Sequence, residues 1–462
     1  MLRCGGADRT MVYIEEDQAP SIERSLAILS AFRGHNVPQR PADLASGLRI
    51  PRSSAYQIIR TLVHTGYLQP VGRGLVRLGE KFDELLIAYQ HQHRTLPLDP
   101  TWPGRRFGRA EEHPATQVPR SFLWNPQLTE MVDCSRFRRA PPYRIGFSNA
   151  STSNPWRVAM LHGILHYARQ HSGRIASLEV KDAKDDPEQQ SADIEALVRD
   201  GVDLLLVSCN QAERINAALG TAAEARIPVV AVDRRPLTDR HFLTYVSASD
   251  IALGRITAQW LIERIQGRGS VFMLAGIEGS SPAELRTAAA MEVFSQYPDI
   301  DATAMRYTDW REDVGRALTT GLIANFGLPA GVWCDSGLQG AGAMQAFLDA
   351  GVPDGEIPPH TGGDVNRVFQ IAVRHQIALA AVEYPAWMGA RALQAGVEVL
   401  AGRTMPRHIE VHSQVVVSRG CETPSVHPDV YADDYVRWDR PGDFVGSHGL
   451  GADYSPEQFQ WQ

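Results

Sequence analysis

Cysteine is scarce in this chain. Five residues, Cys4, Cys134, Cys209, Cys334 and Cys421, are scattered over 462 positions. No CxxC pair occurs and no histidines stand beside them at ligand spacing, which argues against a disulfide framework or a metal site and for reduced thiols. Long apolar runs are absent as well. Nothing approaches the ~20 residues of a membrane span. The first twenty residues, MLRCGGADRTMVYIEEDQAP, lack the apolar core of a secretory signal. The expectation is a cytoplasmic protein without membrane attachment. Catalytic signatures are missing too: there is no GxSxG, HExxH, P-loop or GxGxxG, and GLQGAG at 337–342 is only a fragment of the last. The 15 histidines show no metal-ligand spacing. Neither a cofactor nor an enzymatic activity is expected.

What is present is an ordinary globular composition, 44% hydrophobic and 21% charged, on a chain long enough for two or three domains. The charge is uneven. Residues 21–79 hold eight arginines against Glu23 and Asp43, a net +6, so the rest of a chain with net charge −7 carries −13. A basic module on an acidic body points to nucleic acid at one end.

That basic module reads as helices. Ser21 is a candidate N-cap, followed by Ile22, Leu26, Leu29 and Phe32 on one face, with Gly34 as the stop. A short helix is predicted around Pro41–Gly47, with Leu44 and Leu48 inward. In PRSSAYQIIRTLVHTGYLQP (51–70), Ala55, Ile58, Ile59, Leu62 and Val63 stand at i, i+3, i+4, i+7 and i+8, a core face. Pro51 suits the first turn and Gly66 the C-terminal stop. Two short strands around the loop 70–74 form a wing, and Lys81–Gln90 is helical again. The outer face of the third helix carries Arg52, Ser53, Tyr56, Gln57 and Arg60, and Arg73 sits at the wing tip. Arginine and glutamine match guanine and adenine edges bidentately, while hydroxyls suit phosphate oxygens. A solvated structural helix is the alternative for this helix alone. The flanking helices, the wing and the local charge favour DNA contact.

These residues, SIERSLAILSAF, then PADLASGLRIPRSSAYQIIRTLVHTGYLQP and RLGEKFDEL (77–85), resemble the IclR-type winged helix-turn-helix over about 20–90. The resemblance implies an α+β domain at 15–90 that binds promoter DNA, usually as a dimer. The GAF-like effector domain that typically follows in that family is not found here.

Prolines from Pro97 to Pro142 break any period, so 91–142 reads as a linker. From Tyr143 short apolar strands alternate with amphipathic helices, the pattern of parallel, doubly wound α/β units. Strands are predicted at 144–148, 176–180, 203–208, 228–233, 270–276, 302–307, 331–335, 359–364 and 379–383, with helices between, such as 156–171 and 189–200. Ligands in such folds sit beyond the carboxyl ends of strands. The tail 421–462 carries no readable role.

The motifs at those strand ends are IGFSNASTSNPW (145–156), AVDRR (231–235), SASDIALGR (247–255), AGIEGSSPAELR (275–286), TDW (308–310), CDSG (334–337), GGD (362–364) and VEYPAWMG (382–389). In that order they resemble type 1 periplasmic binding proteins, the ribose-binding and sugar-repressor superfamily, over about 143–417. The resemblance implies a two-lobed α/β sensor at 143–420 with a small carbohydrate or polyol between the lobes. Trp156 and Trp310 become aromatic plates. Asn154, Asp233, Arg234, Arg286, Asp364 and Glu383 become edge contacts. Five positions depart from the family: Arg157 replaces a second aromatic, Ser208 and Ser336 replace frequent asparagines, Glu383 replaces a frequent glutamine, and Gly363 replaces an aromatic. The expected pocket is therefore more charged and less aromatic than a simple ribose site.

The sequence thus points to a DNA-binding transcriptional regulator, a homodimer or higher homo-oligomer, whose operator affinity follows a sugar or polyol effector. A solute receptor for an ABC sugar transporter is the main alternative, and a sugar-modifying enzyme on a binding-protein fold is a third.

Overall fold

The computed structural model describes residues 20–31, 39–71, 74–79, 81, 130–363 and 365–450. The chain divides into two units, Met1–Asp99 and Pro100–Gln462.

The first unit consists of α1 (Pro20–Ser30), α2 (Pro41–Gly47), α3 (Arg52–His64) and the antiparallel hairpin β1 (Leu68–Val71) and β2 (Leu75–Leu78). The apolar face of α3 does what its spacing requires: Ala55, Ile59 and Leu62 are buried against Ile28, Leu44 and Ala45. Pro51 is the N-cap rather than a residue of the first turn, and Thr65 caps the C-terminus. Gly66 follows at φ +82, a left-handed position that glycine takes without steric cost. In α1 the expected face is corrected. Helix α1 starts at Pro20, so Ser21 lies inside it, and Leu26 is 59% exposed while Ile28 is fully buried. In so short a helix two apolar stripes overlap, and packing against α3 selects the one holding Ile28. Phe32, Gly34, Arg73 and, apart from Lys81, the helix expected at Lys81–Gln90 lie outside the described residues, as does 91–129.

The larger unit opens with β3 (Met131–Val132) and then alternates through β4 (Tyr143–Asn149), α4 (Pro155–Gln170), β5 (Ile175–Asp182), α5 (Pro187–Arg199), β6 (Leu204–Ser208), α6 (Asn216–Glu224), β7 (Val229–Val232) and β8 (Thr244–Ser247). Next come α7 (Asp250–Arg264), β9 (Gly269–Ala275), α8 (Ser281–Phe294), β10 (Ile300–Tyr307), α9 (Glu312–Phe326), β11 (Gly331–Cys334), α10 (Gly337–Asp349), β12 (His360–Thr361), α11 (Asn366–Arg374), β13 (Leu379–Val382) and α12 (Met388–Leu400). The chain ends in β14 (Met405–Pro406), β15 (His408–Glu410), β16 (Val415–Val417), β17 (Val430–Tyr431) and α13 (Ala432–Tyr435).

Two sheets result. One runs β15-β8-β7-β6-β4-β5, all parallel; the other runs β10-β9-β11-β12-β13-β16-β17, parallel except between β13 and β16. Every residue of β6 (LLLVS) and β7 (VVAV) is buried, as expected for strands covered by helices on both faces. As far as β17 the chain passes between lobes three times: from β8 into α7, from β13 into α12, and from β15 into β16.

Two segments behave otherwise than their composition suggested. The end of the stretch expected as linker, 130–142, packs onto the larger unit: β3 pairs with β14, Glu130 meets Arg407 at 2.8 Å, and Arg139 meets Asp203 at 2.6 Å. The tail, too, is held in place through 450. Its β17 extends the second sheet, and Val445 bridges Val365.

The two helices that frame the second lobe touch at Gly254 of α7. A Cβ there would run into the main-chain carbonyl of Arg286 in α8. Gly254→Ala is therefore expected to overpack this contact by about 1–3 kcal/mol. Thermal unfolding checks it: the midpoint falls by several degrees, whereas an unchanged midpoint would mean that the helices can separate freely.

Candidate functional site

In the first unit, Arg52, Ser53, Tyr56, Gln57 and Arg60 all lie on the exposed side of α3, opposite the buried Ala55, Ile59 and Leu62. This places a guanidinium-rich, amide-bearing surface on the helix that a helix-turn-helix lays in the major groove. Arg73, expected at the wing tip, lies outside the described residues.

In the larger unit one cleft gathers residues from both lobes. Asn154, Trp156, Arg157, Asp233 and Arg234 come from the first; Arg286, Trp310 and Ser336 come from the second. Pro282, Leu338 and Tyr384 complete the lining, and the cleft encloses about 350 Å³ including its open mouth. The convergence follows from topology. Each of these residues stands just past the carboxyl end of a parallel strand or in the first two turns of the helix after it, and these ends share one edge of each sheet. Asn154 and Ser336 also cap helices: Asn154 Oδ1 accepts the Arg157 N–H and Ser336 Oγ accepts the Leu338 N–H.

The floor of the cleft is an ion-pair network. Arg157, 2% exposed, donates through Nη1 to Asp233 Oδ2 at 2.8 Å. Its Nη2 donates to Asn149 Oδ1 at 2.7 Å and Ser208 Oγ at 2.9 Å, and its Nε to the Ser151 carbonyl at 2.7 Å. Ser208 also donates to Asp233 at 3.2 Å, so it supports the cleft from behind rather than lining it. With this carboxylate oxygen engaged, Arg234 is left 4.0 Å from it. The Arg234 guanidinium is buried, and its Nε and Nη1 find no hydrogen-bond partner among the described residues. Burial, reinforced by the nearby charge of Arg157, lowers its pKa to about 10, so it remains charged at neutral pH.

Aromatic groups form the walls. The Trp156 indole N–H donates to the Tyr384 carbonyl at 2.6 Å, and the two rings lie 5.4 Å apart. The Trp310 indole donates to the Asp335 carboxylate at 3.0 Å, and its ring lies 5.2 Å from the Arg234 guanidinium. Arg286 donates to Asp250 Oδ1 at 2.7 Å and to the Asp335 carbonyl at 3.0 Å, with its guanidinium 4.2 Å from the Tyr384 ring. Burial raises the Asp250 pKa to about 6 against the pull of Arg286, and burial raises that of Asp335 as well. Asp233 and Trp310 hold φ of +64 and +52, left-handed conformations that cost non-glycine residues about 1 kcal/mol or more each. Such strain collects where a site prescribes side-chain direction.

Glu383 requires correction. Its carboxylate accepts the Tyr435 hydroxyl at 2.8 Å and does not line the cleft; the next residue, Tyr384, does. Asp364 lies outside the described residues. Asp250, Asp335 and Tyr384 stood inside the quoted motifs, but no spacing distinguished them. Among the described residues, no group of three or more His, Cys, Asp or Glu is placed to hold a metal ion, and no helix is long and apolar enough to cross a membrane.

A cleft with aromatic walls, carboxylates and a buried guanidinium with unmet donors suits a small molecule rich in acceptor oxygens and apolar C–H faces. Comparison with known proteins agrees with the fold. The periplasmic binding protein domain family matches residues 145–404, and the IclR helix-turn-helix domain family matches 21–72. Neither is an enzyme family. Over 170 residues the chain is 29% identical to a xylitol-binding protein of Mycolicibacterium smegmatis; the match covers 37% of this chain and 48%, about half, of that protein. Over 268 residues it is 22% identical to the ribose import binding protein of Bacillus subtilis, covering 58% of this chain and 85% of that one. The periplasmic binding protein component of the arabinose ABC transporter from Shewanella sp. ANA-3, solved with alpha and beta-L-arabinofuranose, superposes with a TM-score of 0.55 at 25% identity, covering 59% of this chain and 91% of that one. Through its larger unit the chain belongs to the periplasmic binding protein domain family, and it carries that unit together with an IclR helix-turn-helix domain.

Proposed function

We propose that the protein is a transcriptional regulator that binds promoter DNA through α3 and whose operator affinity is set by a small sugar or polyol held in the cleft. The observation that carries the effector half is Arg234. Two buried guanidinium N–H groups, at Nε and Nη1, without hydrogen-bond partners among the described residues cost stability, and two acceptor oxygens of a bound polyol would satisfy them. The DNA half rests on the exposed Arg52, Gln57 and Arg60 of a helix-turn-helix match. The relatives are named for binding xylitol and for ribose import, which supports a polyhydroxylated effector. The ligand acts by differential affinity: a molecule touching both lobes favours the closed cleft. In a dimer, that closure changes the spacing of two reading helices, and half-site spacing is a geometric requirement. The protein works in the cytoplasm, and its ligand leaves chemically unchanged. A second reading, a receptor for sugar import, is favoured only by the relatives' printed roles. Cell fractionation separates the two, since recovery from the periplasm would exclude the regulator.

A thermal-shift screen with D-ribose, L-arabinose, D-fructose, myo-inositol and xylitol is expected to find a stabilising ligand. Arg234→Met is expected to leave the ligand-free midpoint unchanged or higher, because it removes a buried charge with two unmet donors and a carboxylate only at 4.0 Å. The same change weakens ligand binding by about tenfold or more through lost charge-assisted bonds. A full ligand-dependent shift in this variant would remove Arg234 from the site. On the DNA side, Arg60→Ala is expected to weaken specific operator binding by about 1–3 kcal/mol in a gel-shift titration. An unchanged affinity would take Arg60 off the reading face.

A further inference from the structure

The segment after β17 lies beyond the periplasmic binding protein match, which ends at 404, and contributes no side chain to the cleft lining among the described residues. It is nonetheless fastened to both lobes. On the second lobe, the Tyr435 ring packs 4.8 Å from Phe369 of α11. Asn366 Nδ2 donates to the Arg437 carbonyl at 2.6 Å, and its main-chain N–H donates to the Phe444 carbonyl at 2.8 Å. The chain then crosses to the first lobe, where Phe444 packs with Leu165 of α4 and Val445 enters the core that holds Trp156 and Met160.

Ser447, 5% exposed, follows at the point where this path meets the ligand cleft. Its Oγ accepts the Ala386 N–H at 3.2 Å and donates to the Tyr384 carbonyl at 3.4 Å, while its own carbonyl accepts the Trp387 N–H at 3.1 Å. The Tyr384 carbonyl is also the acceptor that holds the Trp156 indole. One carbonyl oxygen therefore receives a donor from the tail and a donor from an aromatic wall of the cleft. Twelve residues earlier, the Tyr435 hydroxyl holds Glu383, the neighbour of Tyr384 on its other side. The 383–387 peptide is thus gripped by the tail along its length, and two walls of the cleft hang from it.

We infer that the C-terminal segment 432–450 is a built-in part of the ligand site and that Ser447 is a positioning residue, orienting the Tyr384 carbonyl and through it the Trp156 ring. The inference rests on the reading of the cleft as a sugar or polyol site. With both lone pairs of the carbonyl engaged, the peptide plane has one orientation; without the hydroxyl, the buried Ala386 N–H loses its acceptor and the peptide turns to find another. Trp156 and Tyr384 then move together.

The test uses the full chain with Ser447→Ala and the conservative Ser447→Thr. Trp156 is followed without ligand by the near-ultraviolet circular dichroism band that disappears in Trp156→Phe. Affinity is measured by calorimetry with whichever of D-ribose, L-arabinose, D-fructose, myo-inositol or xylitol shifts the wild-type melting midpoint most. Ser447→Ala is expected to lose the band and to weaken binding by about tenfold, with Ser447→Thr restoring both. A retained band with unchanged affinity, even with a lowered midpoint, would show that the segment only adds stability and would overturn the inference. If none of these ligands binds the wild type, the sugar reading fails on its own. The band then decides the positioning role alone: its loss in Ser447→Ala supports that role and its retention overturns it.

Discussion

Arg157 reaches from the first turn of α4 across the carboxyl ends of three strands. Its guanidinium joins Asn149 at the end of β4, Ser208 at the end of β6 and Asp233 just past β7. Each partner is buried, so the network depends on every donor finding an acceptor, and a partly satisfied version would cost more than an apolar floor. Its consequence lies in what it leaves over. Because Arg157 and Ser208 occupy one oxygen of Asp233, the adjacent Arg234 is left 4.0 Å from it, with Nε and Nη1 unmet among the described residues. The arginine at position 157 therefore does more than add charge: it leaves the neighbouring Arg234, which lines the cleft, with Nε and Nη1 unmet.

The second lobe repeats the logic with different parts. Arg286 is held by Asp250 and the Asp335 carbonyl, while the Asp335 carboxylate accepts from Trp310, the Gly276 N–H and Gln339. A Cβ on Gly276 would overlap the Trp310 indole, so the ring lies directly on the backbone. With these fixed walls goes left-handed backbone at Asp233 and Trp310, a local cost that the surrounding packing sustains. The two lobes meet around the 383–387 crossover, which explains why a tail gripping that crossover bears on both at once.

Much of this was legible in the residues. The predicted strands fall within a few residues of those observed, because apolar runs such as LLLVS and VVAV are local signals of doubly covered parallel strands. Residues just after those strands converge because parallel order puts their ends on one edge. The exchange of Glu383 for Tyr384 was not legible. Successive residues leaving a strand point to opposite sides, and which side meets the cleft depends on where the tail brings Tyr435. The inward stripe of α1 was hidden for a similar reason, since Leu26 and Ile28 are equally apolar in sequence and only the position of α3 separates them.

Local sequence was enough for the two-part organisation, the exposed basic face of α3 and the alternation of strands and helices, since these rest on periodicity and charge within short windows. Only the tertiary structure decided that Asp233 pairs with Arg157, 76 residues away, rather than with its neighbour Arg234. Only the structure, likewise, placed Ser447 under Tyr384, 63 residues back along the chain. Such pairings leave no local pattern, because the partners share neither a helix face nor a strand register. They exist only once the folded backbone has brought buried donors and acceptors within reach and excluded the water that would otherwise satisfy them.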